Sequence, residues 1–281
     1  MAYCQSLLDT TIQKVNMVGG GDIHQAYCLH TPKGLFFLKT NTQADALAMF
    51  QTEAKGLALM RQCQELVIPK TYATGQVDAY AFLLLAFIDR GAQNRSFWSS
   101  FGAGLAAMHR HSQAQFGLDH ANYIGRLPQS NGPHSNWSDF YRAERLEPQI
   151  QMALEQGQMR QEDYQAFQRL YPLIEQLCPE EPPALIHGDL WSGNFLCNAQ
   201  QEAVLFDPAC AYAHREMDLA MSRLFGGFDA EFYRAYEEAY PLAPDFEERL
   251  LLYQLYYLMV HVNLFGGSYI ASVRRILRRF T

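Results

Sequence analysis

Two periods of apolar and polar positions divide this chain. In the first third the period is short. VNMVGGG (15–21) predicts a strand running into a glycine turn, and AYCLHT (26–31) and GLFFLKT (34–40) predict two more. Pro32-Lys33-Gly34 between the latter two is a hairpin signal. TQADALAMFQTEAKGLALMRQC (42–63) shifts to a helical period, with Leu47, Phe50, Ala54, Leu57 and Met60 on one side. LVIPKTYATGQ (66–76) and YAFLLLAFI (80–88) return to strand.

After Asp89-Arg90-Gly91 the helical period takes over, over 96–111, 135–156, 161–178, 216–225, 229–239 and 245–264. Only ALIHGDLWSGNFL (184–196) and AVLFDPA (203–209) interrupt it, as short apolar runs around polar turns. There is no internal repeat and no low-complexity tract. The pattern predicts an α+β chain of two lobes: a small β-rich lobe with one helix, 1–88, and a larger, mainly helical lobe, 89–281. A cleft between lobes is a usual ligand site.

Composition narrows the class. With 281 residues, 49% hydrophobic and 18% charged, the chain can bury a substantial core. A net charge of -7 argues against a general nucleic-acid binder. The late stretch LLLYQLYYLMVHVNLF (250–265) carries Gln254, His261 and Asn263. It reads as a buried helix with satisfied polar groups, not a membrane span. The N-terminus lacks the basic-then-apolar order of a secretion signal. Cys4, Cys28, Cys63, Cys178, Cys197 and Cys210 show no C-x-x-C pair or metal-type spacing. They predict free thiols in a reducing cytoplasm and no zinc. Arg274, Arg275, Arg278 and Arg279 in SVRRILRRF predict a solvated helix end that complements its dipole.

The chemistry concentrates in LIHGDLWSGNFL (185–196), whose polar residues read H-x-D-x-x-x-x-N. Phosphoryl transfer to a hydroxyl needs a carboxylate to take the proton and ligands for a metal that neutralises the phosphates. Asp189 suits the base and Asn194 a Mg²⁺ ligand, with Asp207 in LFDPA as the second metal ligand. That is the order of a kinase catalytic loop and its metal-binding Asp. The small lobe should then hold ATP. Gly19, Gly20 and Gly21 would let backbone N–H groups approach phosphates. Lys39 on a strand, held by Glu53 on the helix, would contact the α/β-phosphates. Backbone groups around Leu85, Ala86 and Phe87 fall where the adenine hinge belongs. His187 reads as a prop for the loop. Asp218 would either accept hydrogen bonds from catalytic-loop N–H groups or favour a helix N-terminus.

HGD at the catalytic loop resembles the aminoglycoside phosphotransferase and choline kinase branch of the protein kinase-like fold. HGDLWSGN, FDPA, AYAHREMDLAMSRLFGGF (211–228), FGLDHANYIGRLPQSN (116–131) with Trp137 and Phe140, GGGDIHQAY (19–27) and LYYLMVHVNLFGGSY (255–269) resemble the fructosamine kinase, or ketosamine-3-kinase, family. The resemblance implies ATP- and Mg²⁺-dependent phosphorylation of the sugar 3-hydroxyl of ketosamines, whose 3-phosphates are unstable, so that deglycation follows. Acceptors would be small ketosamines or glycated lysines on proteins. It also implies a cytoplasmic setting. From the charge and hydropathy above, no nucleic-acid or membrane partner is expected; the sequence does not fix the oligomeric state, with a monomer slightly favoured. Some relatives carry a redox-active cysteine after the glycines. Asp22 stands there in this chain, so that switch does not carry over. Trp191 would stack on the sugar or pack beneath the loop. His214, Arg215 and Glu216 could face the acceptor, with the Glu216 carboxylate suited to a protonated ketosamine nitrogen.

Overall fold

The computed structural model describes residues 2–19 and 24–280. Its N-terminal lobe runs α1 (Ala2–Leu8), β1 (Lys14–Val18), β2 (Gln25–Thr31), β3 (Gly34–Asn41), α2 (Ala46–Met60), β4 (Thr71–Val77) and β5 (Tyr80–Ala86). The five strands form an antiparallel sheet in the order β1-β2-β3-β5-β4. Strand β5 shows why YAFLLLA is apolar throughout. Successive side chains of a strand point to opposite faces, and both faces here are covered. Ala81, Leu83 and Leu85 join Phe50, Leu57 and Met60 of α2 in the main core. Phe82 and Leu84 pack with Leu29, Phe36 and Leu38 and with Cys4 and Leu8 of α1. The pattern of the sequence did not predict α1, because seven residues are too few to display a helical period.

Residues 66–70 differ from the predicted strand 66–76. Val67 donates to the Ala203 carbonyl at 3.0 Å and accepts from Leu205 N at 3.0 Å, so this segment bonds to the C-terminal lobe. The sheet strand begins only at Thr71, beyond Pro69, which has no N–H to give a ladder.

In the C-terminal lobe, α3 (Arg95–Met108) starts at Asn94, whose side chain accepts from Phe97 N. A short hairpin follows, β6 (Asn122–Ile124) and β7 (Leu127–Gln129). The predicted helix 135–156 forms as α4 (Trp137–Phe140), a π-helical turn (Tyr141–Leu146) and α5 (Glu147–Glu155). Glu147 N–H bonds the Arg142 carbonyl, five residues back, just before Pro148, which has no N–H to continue an α-helical ladder. Next come α6 (Gln161–Leu177), β8 (Ala184–Ile186), β9 (Phe195–Cys197), β10 (Ala203–Leu205) and β11 (Ala211–Ala213). The chain ends with α7 (Glu216–Leu224), α8 (Ala230–Ala239), α9 (Phe246–Phe265) and α10 (Ile270–Phe280).

Helix α9 is buried over most of its surface, which accounts for its apolar composition. Asn263 on it donates to the Gln149 carbonyl and to Gln149 Oε1, so its amide nitrogen is satisfied inside the core. Arg274 is not merely a solvated helix end. It bonds both oxygens of Asp163, at 2.7 and 2.8 Å, and ties α10 to the start of α6. Among the described residues no helix is long and apolar enough to cross a membrane. All six cysteines are free.

Candidate active site

Two pairs of three-residue strands bring the polar turns together. β8 pairs with β11 and β9 pairs with β10, both antiparallel. The loops 187–194 and 206–210 therefore lie side by side. Phe206 N donates to the Asn194 carbonyl at 3.1 Å, and Ala209 N to the His187 carbonyl at 3.0 Å. His187 joins the loops a third time, its Nε2 donating to the Phe206 carbonyl at 2.9 Å. Its Nδ1 accepts from Asp189 N–H at 3.2 Å, which fixes the neutral tautomer. Burial holds its pKa below the ordinary histidine value. The loops are close enough that only glycine fits at 188: its φ is +82°, and a Cβ would lie 2.1 Å from the Ala209 carbonyl oxygen.

Asp218, fully buried in the first turn of α7, is the hub beneath these loops. Its carboxylate accepts from His187 N at 2.7 Å and from Gly188 N at 2.8 Å. His109 Nε2 lies 3.1 Å from it, while His109 Nδ1 meets the Tyr236 hydroxyl at 2.8 Å. Of the two sequence alternatives for Asp218, the bonds to loop N–H groups are therefore present, from a position that also suits a helix N-terminus.

Asp189 is half-buried in the loop that follows β8. Asn194 Nδ2 donates to both its carbonyl and its Oδ2, at 2.9 Å each. Burial pushes the Asp189 carboxyl up to about 7; the Asp207 and Asp218 charges add to this and the Asn194 bond opposes it. A carboxylate poised near neutrality is a suitable proton acceptor. With its nitrogen committed to Asp189, Asn194 has its amide oxygen as the donor for a cation. Asp207 adds a carboxylate from the adjoining loop, in the left-handed region at φ +56°. These are hard oxygen donors of the type Mg²⁺ takes.

The N-terminal lobe reaches the same point. Lys39 Nζ donates to Glu53 Oε1 at 2.8 Å and also to Asp207 Oδ1. One ammonium thus faces two carboxylates. Burial alone would lower the Lys39 pKa, but Asp207 and Glu53 outweigh it and raise it. Asp207, the more exposed carboxylate, keeps its charge, since Lys39 outweighs its burial. Glu53, deeper, is pushed upward by burial. His24 is a neighbour that sequence reasoning missed. Its ring lies 4.7 Å from Phe50, its Nδ1 accepts from Asn41 Nδ2 at 2.9 Å, and burial lowers its pKa to about 4. Gly19 is exposed just after β1, while Gly20 and Gly21 fall outside the described residues, as does Asp22. Leu85 and Ala86 end β5 and Phe87 follows it. Ala86 N–H is committed to the Lys70 carbonyl at 2.8 Å, so that amide is not free to bond an adenine.

The acceptor side needs correction. Trp191 is exposed, its indole lying over Gly193. His214 and Glu216, expected to face the acceptor, are fully buried. The Glu216 carboxylate is held by Arg249 Nε and Nη2 at 2.9 and 2.6 Å, and the His214 ring stacks on Tyr253. A buried carboxylate paired in this way fixes α7 to α9 and presents no face to an acceptor. Arg215 is likewise buried, on Glu181. Elsewhere on the surface, exposed Phe225 and Phe265 flank half-buried His261, with ring centres 4.7 and 5.4 Å from it, and Tyr269 lies at 5.0 Å. Gly227, two residues after Phe225, touches Ser192 beside Trp191. Another group missed in the sequence is a buried polar set under the 206–210 loop. Asn122 Nδ2 donates to the Cys210 carbonyl at 2.8 Å, and Gln129 Nε2 to the Ala209 carbonyl at 3.1 Å. Asn131 bridges Asn122 to Arg145. The available signal was Ile124-Gly-Arg-Leu127, a two-residue turn between apolar residues.

The fructosamine kinase family model matches residues 3–281. The chain belongs to the fructosamine kinase family. It is thus a phosphotransferase that acts on a sugar hydroxyl. A probable ketoamine kinase of Lactiplantibacillus plantarum is 40% identical to it, over 96% of this chain and 95% of that protein. The chloroplastic protein-ribulosamine 3-kinase of Arabidopsis thaliana is 37% identical, over 95% and 82%. A crystal structure from Thermobifida fusca, provisionally named fructosamine-3-kinase, superposes with TM-score 0.88 at 32% identity, over 99% and 96%. The aminoglycoside phosphotransferase APH(4)-Ia shares the fold, with TM-score 0.66 at 16% identity over 100% and 98%.

Proposed function

We propose that this member of the family transfers the γ-phosphoryl group of ATP to the 3-hydroxyl of a ketosamine. The observation that carries the reading is one unbroken set of bonds. Glu53 holds Lys39, Lys39 meets Asp207, and the Asp207 loop is bonded to the loop of Asp189. In this reading Lys39 binds the α/β-phosphates while Glu53 sets its position. Asp207 and Asn194 would hold Mg²⁺, which when bound neutralises charge on the phosphates. Asp189 orients the acceptor hydroxyl and takes its proton as the oxygen bonds the γ-phosphorus and the bond to ADP breaks. Trp191, with the aromatic rim from Phe225 to Tyr269, offers apolar ring faces of the kind that pack against sugars. The names of the relatives favour a ketoamine or ribulosamine acceptor. The 3-phosphate product would be unstable, and deglycation would follow.

The test is ADP release with Mg-ATP and a fructosamine, a ribulosamine, an aminoglycoside, choline or no acceptor, with NMR of the product to locate the phosphate. Turnover on ketosamines with phosphate on O3 supports the reading. Turnover confined to the aminoglycoside or choline would reject the acceptor and keep the kinase chemistry.

A further inference from the structure

Outside the catalytic loops, three unlike side chains converge across the two lobes. Cys63 and Glu65 follow α2, and His111 follows α3. The Cys63 sulfur, a Glu65 carboxylate oxygen and a His111 ring nitrogen all lie within 4.8 Å of one another. His111 Nε2 and Glu65 Oε1 are 3.1 Å apart. Tetrahedral zinc at about 2.0–2.3 Å from each donor spaces its ligands by about 3.3–3.8 Å. Side-chain movement of roughly 1 Å would therefore bring the three donors to that spacing. We propose that Cys63, Glu65 and His111 form a zinc site that clamps α2 to the segment leading into the catalytic loop, with its fourth position open to water.

The donor types favour zinc over Mg²⁺. Thiolate, imidazole and carboxylate together suit a borderline-soft cation, whereas Mg²⁺ takes oxygen ligands and keeps its waters. The backbone under the site is fixed on both sides. Gly104 of α3 lets the 65–66 segment approach so closely that a Cβ there would sit 3.0 Å from the Glu65 carbonyl oxygen and 2.7 Å from Leu66. His111 N bonds the Met108 carbonyl, and the His111 carbonyl accepts from Leu185 N at 2.9 Å. Leu185 lies in β8, two residues before His187. The Cys63 thiol sits in a buried spot where burial, with the Glu65 charge adding, pushes its pKa up to about 11. A bound dication would reverse that balance and displace the proton. The cluster is invisible to sequence spacing, because His111 comes from the other lobe.

The experiment uses the full chain, stripped with chelator, kept reduced with a phosphine and held in excess Mg²⁺. Co²⁺ is titrated as the spectroscopic probe, then Zn²⁺ as competitor. The expected result is one thiolate-to-cobalt charge-transfer band per chain, removed by Zn²⁺, and a zinc-dependent rise in Tm of about 5 °C. Cys63→Ser should abolish the band. His111→Ala and Glu65→Gln, at partly exposed positions, should weaken zinc binding at least about tenfold and guard against a folding defect in the cysteine variant. Absence of the band, its persistence in Cys63→Ser, or an equal Tm rise in all three variants would overturn the site.

Discussion

The two lobes fix their charged groups in different ways. In the N-terminal lobe, Lys39 and Glu53 ride on a long strand and a long helix that owe their position to apolar packing. In the C-terminal lobe, Asp189 and Asp207 sit on loops between strands of only three residues. Such strands cannot set a loop by themselves. A buried polar hub does it instead: Asp218, His187, Asn122 and Gln129 supply bonds to the loop backbone, with His109 bonded to Asp218 and Asn131 to Asn122 behind them. Regular elements tolerate the loss of one polar contact; a loop held by a few buried polar bonds should not.

Asp218→Ala should break this contrast most severely. It leaves the His187 and Gly188 N–H groups and His109 without their acceptor, for a loss of about 3 kcal/mol of stability in chemical denaturation. Turnover should fall with it, while a hub that is dispensable would leave both unchanged. Glu53→Gln should be far milder. Because burial already pushes Glu53 toward its neutral form, an amide of the same shape suits the site. Stability should hold, since the amide oxygen still accepts from Lys39, and KM for ATP should rise by no more than about tenfold as Lys39 is held less firmly. A large stability loss would show that the N-terminal pair is also held by charge.

The pH profile sharpens the same point. Asp189 must be ionised to take a proton, and burial raises it to about 7. kcat/KM should be level above about 7 and fall about tenfold per pH unit below it. A profile flat down to pH 5 would place the base elsewhere. The smallest effect belongs to Arg274→Ala. Arg274, through its hydrogen bonds, holds the Asp163 carboxyl below its ordinary value. A carboxylate depressed on folding adds stability above its unfolded pKa and loses it as pH falls through the folded one. The variant should therefore lose about 0.5–1 kcal/mol at pH 7 and nothing near pH 2.

What the sequence made legible follows the same division. Period alone placed β2, β3, α2, β5 and most helices, because long elements repeat their burial pattern often enough to be read. Residue type and order grouped Lys39, Glu53, Asp189, Asn194 and Asp207, and the fold brings them to one place. The misses are elements and contacts with no period to display. Helix α1 and the β6–β7 hairpin are too short, and Val67 takes its backbone bonds from the other lobe. His214 and Glu216 misled because proximity in sequence to Asp207 says nothing about which way a side chain faces; both turn into the core onto Tyr253 and Arg249. Cys63 and His111 are distant in sequence and adjacent in space.

The central claim is that Asp189 takes the acceptor proton on a loop held ready by Asp218 and His187. Its most direct test is Asp189→Asn, with Mg-ATP affinity measured by calorimetry and turnover measured on the best ketosamine from the panel. Affinity within about twofold of the parent, with kcat lower by about 10²–10⁴, is the expected result. Turnover close to that of the parent would contradict the account.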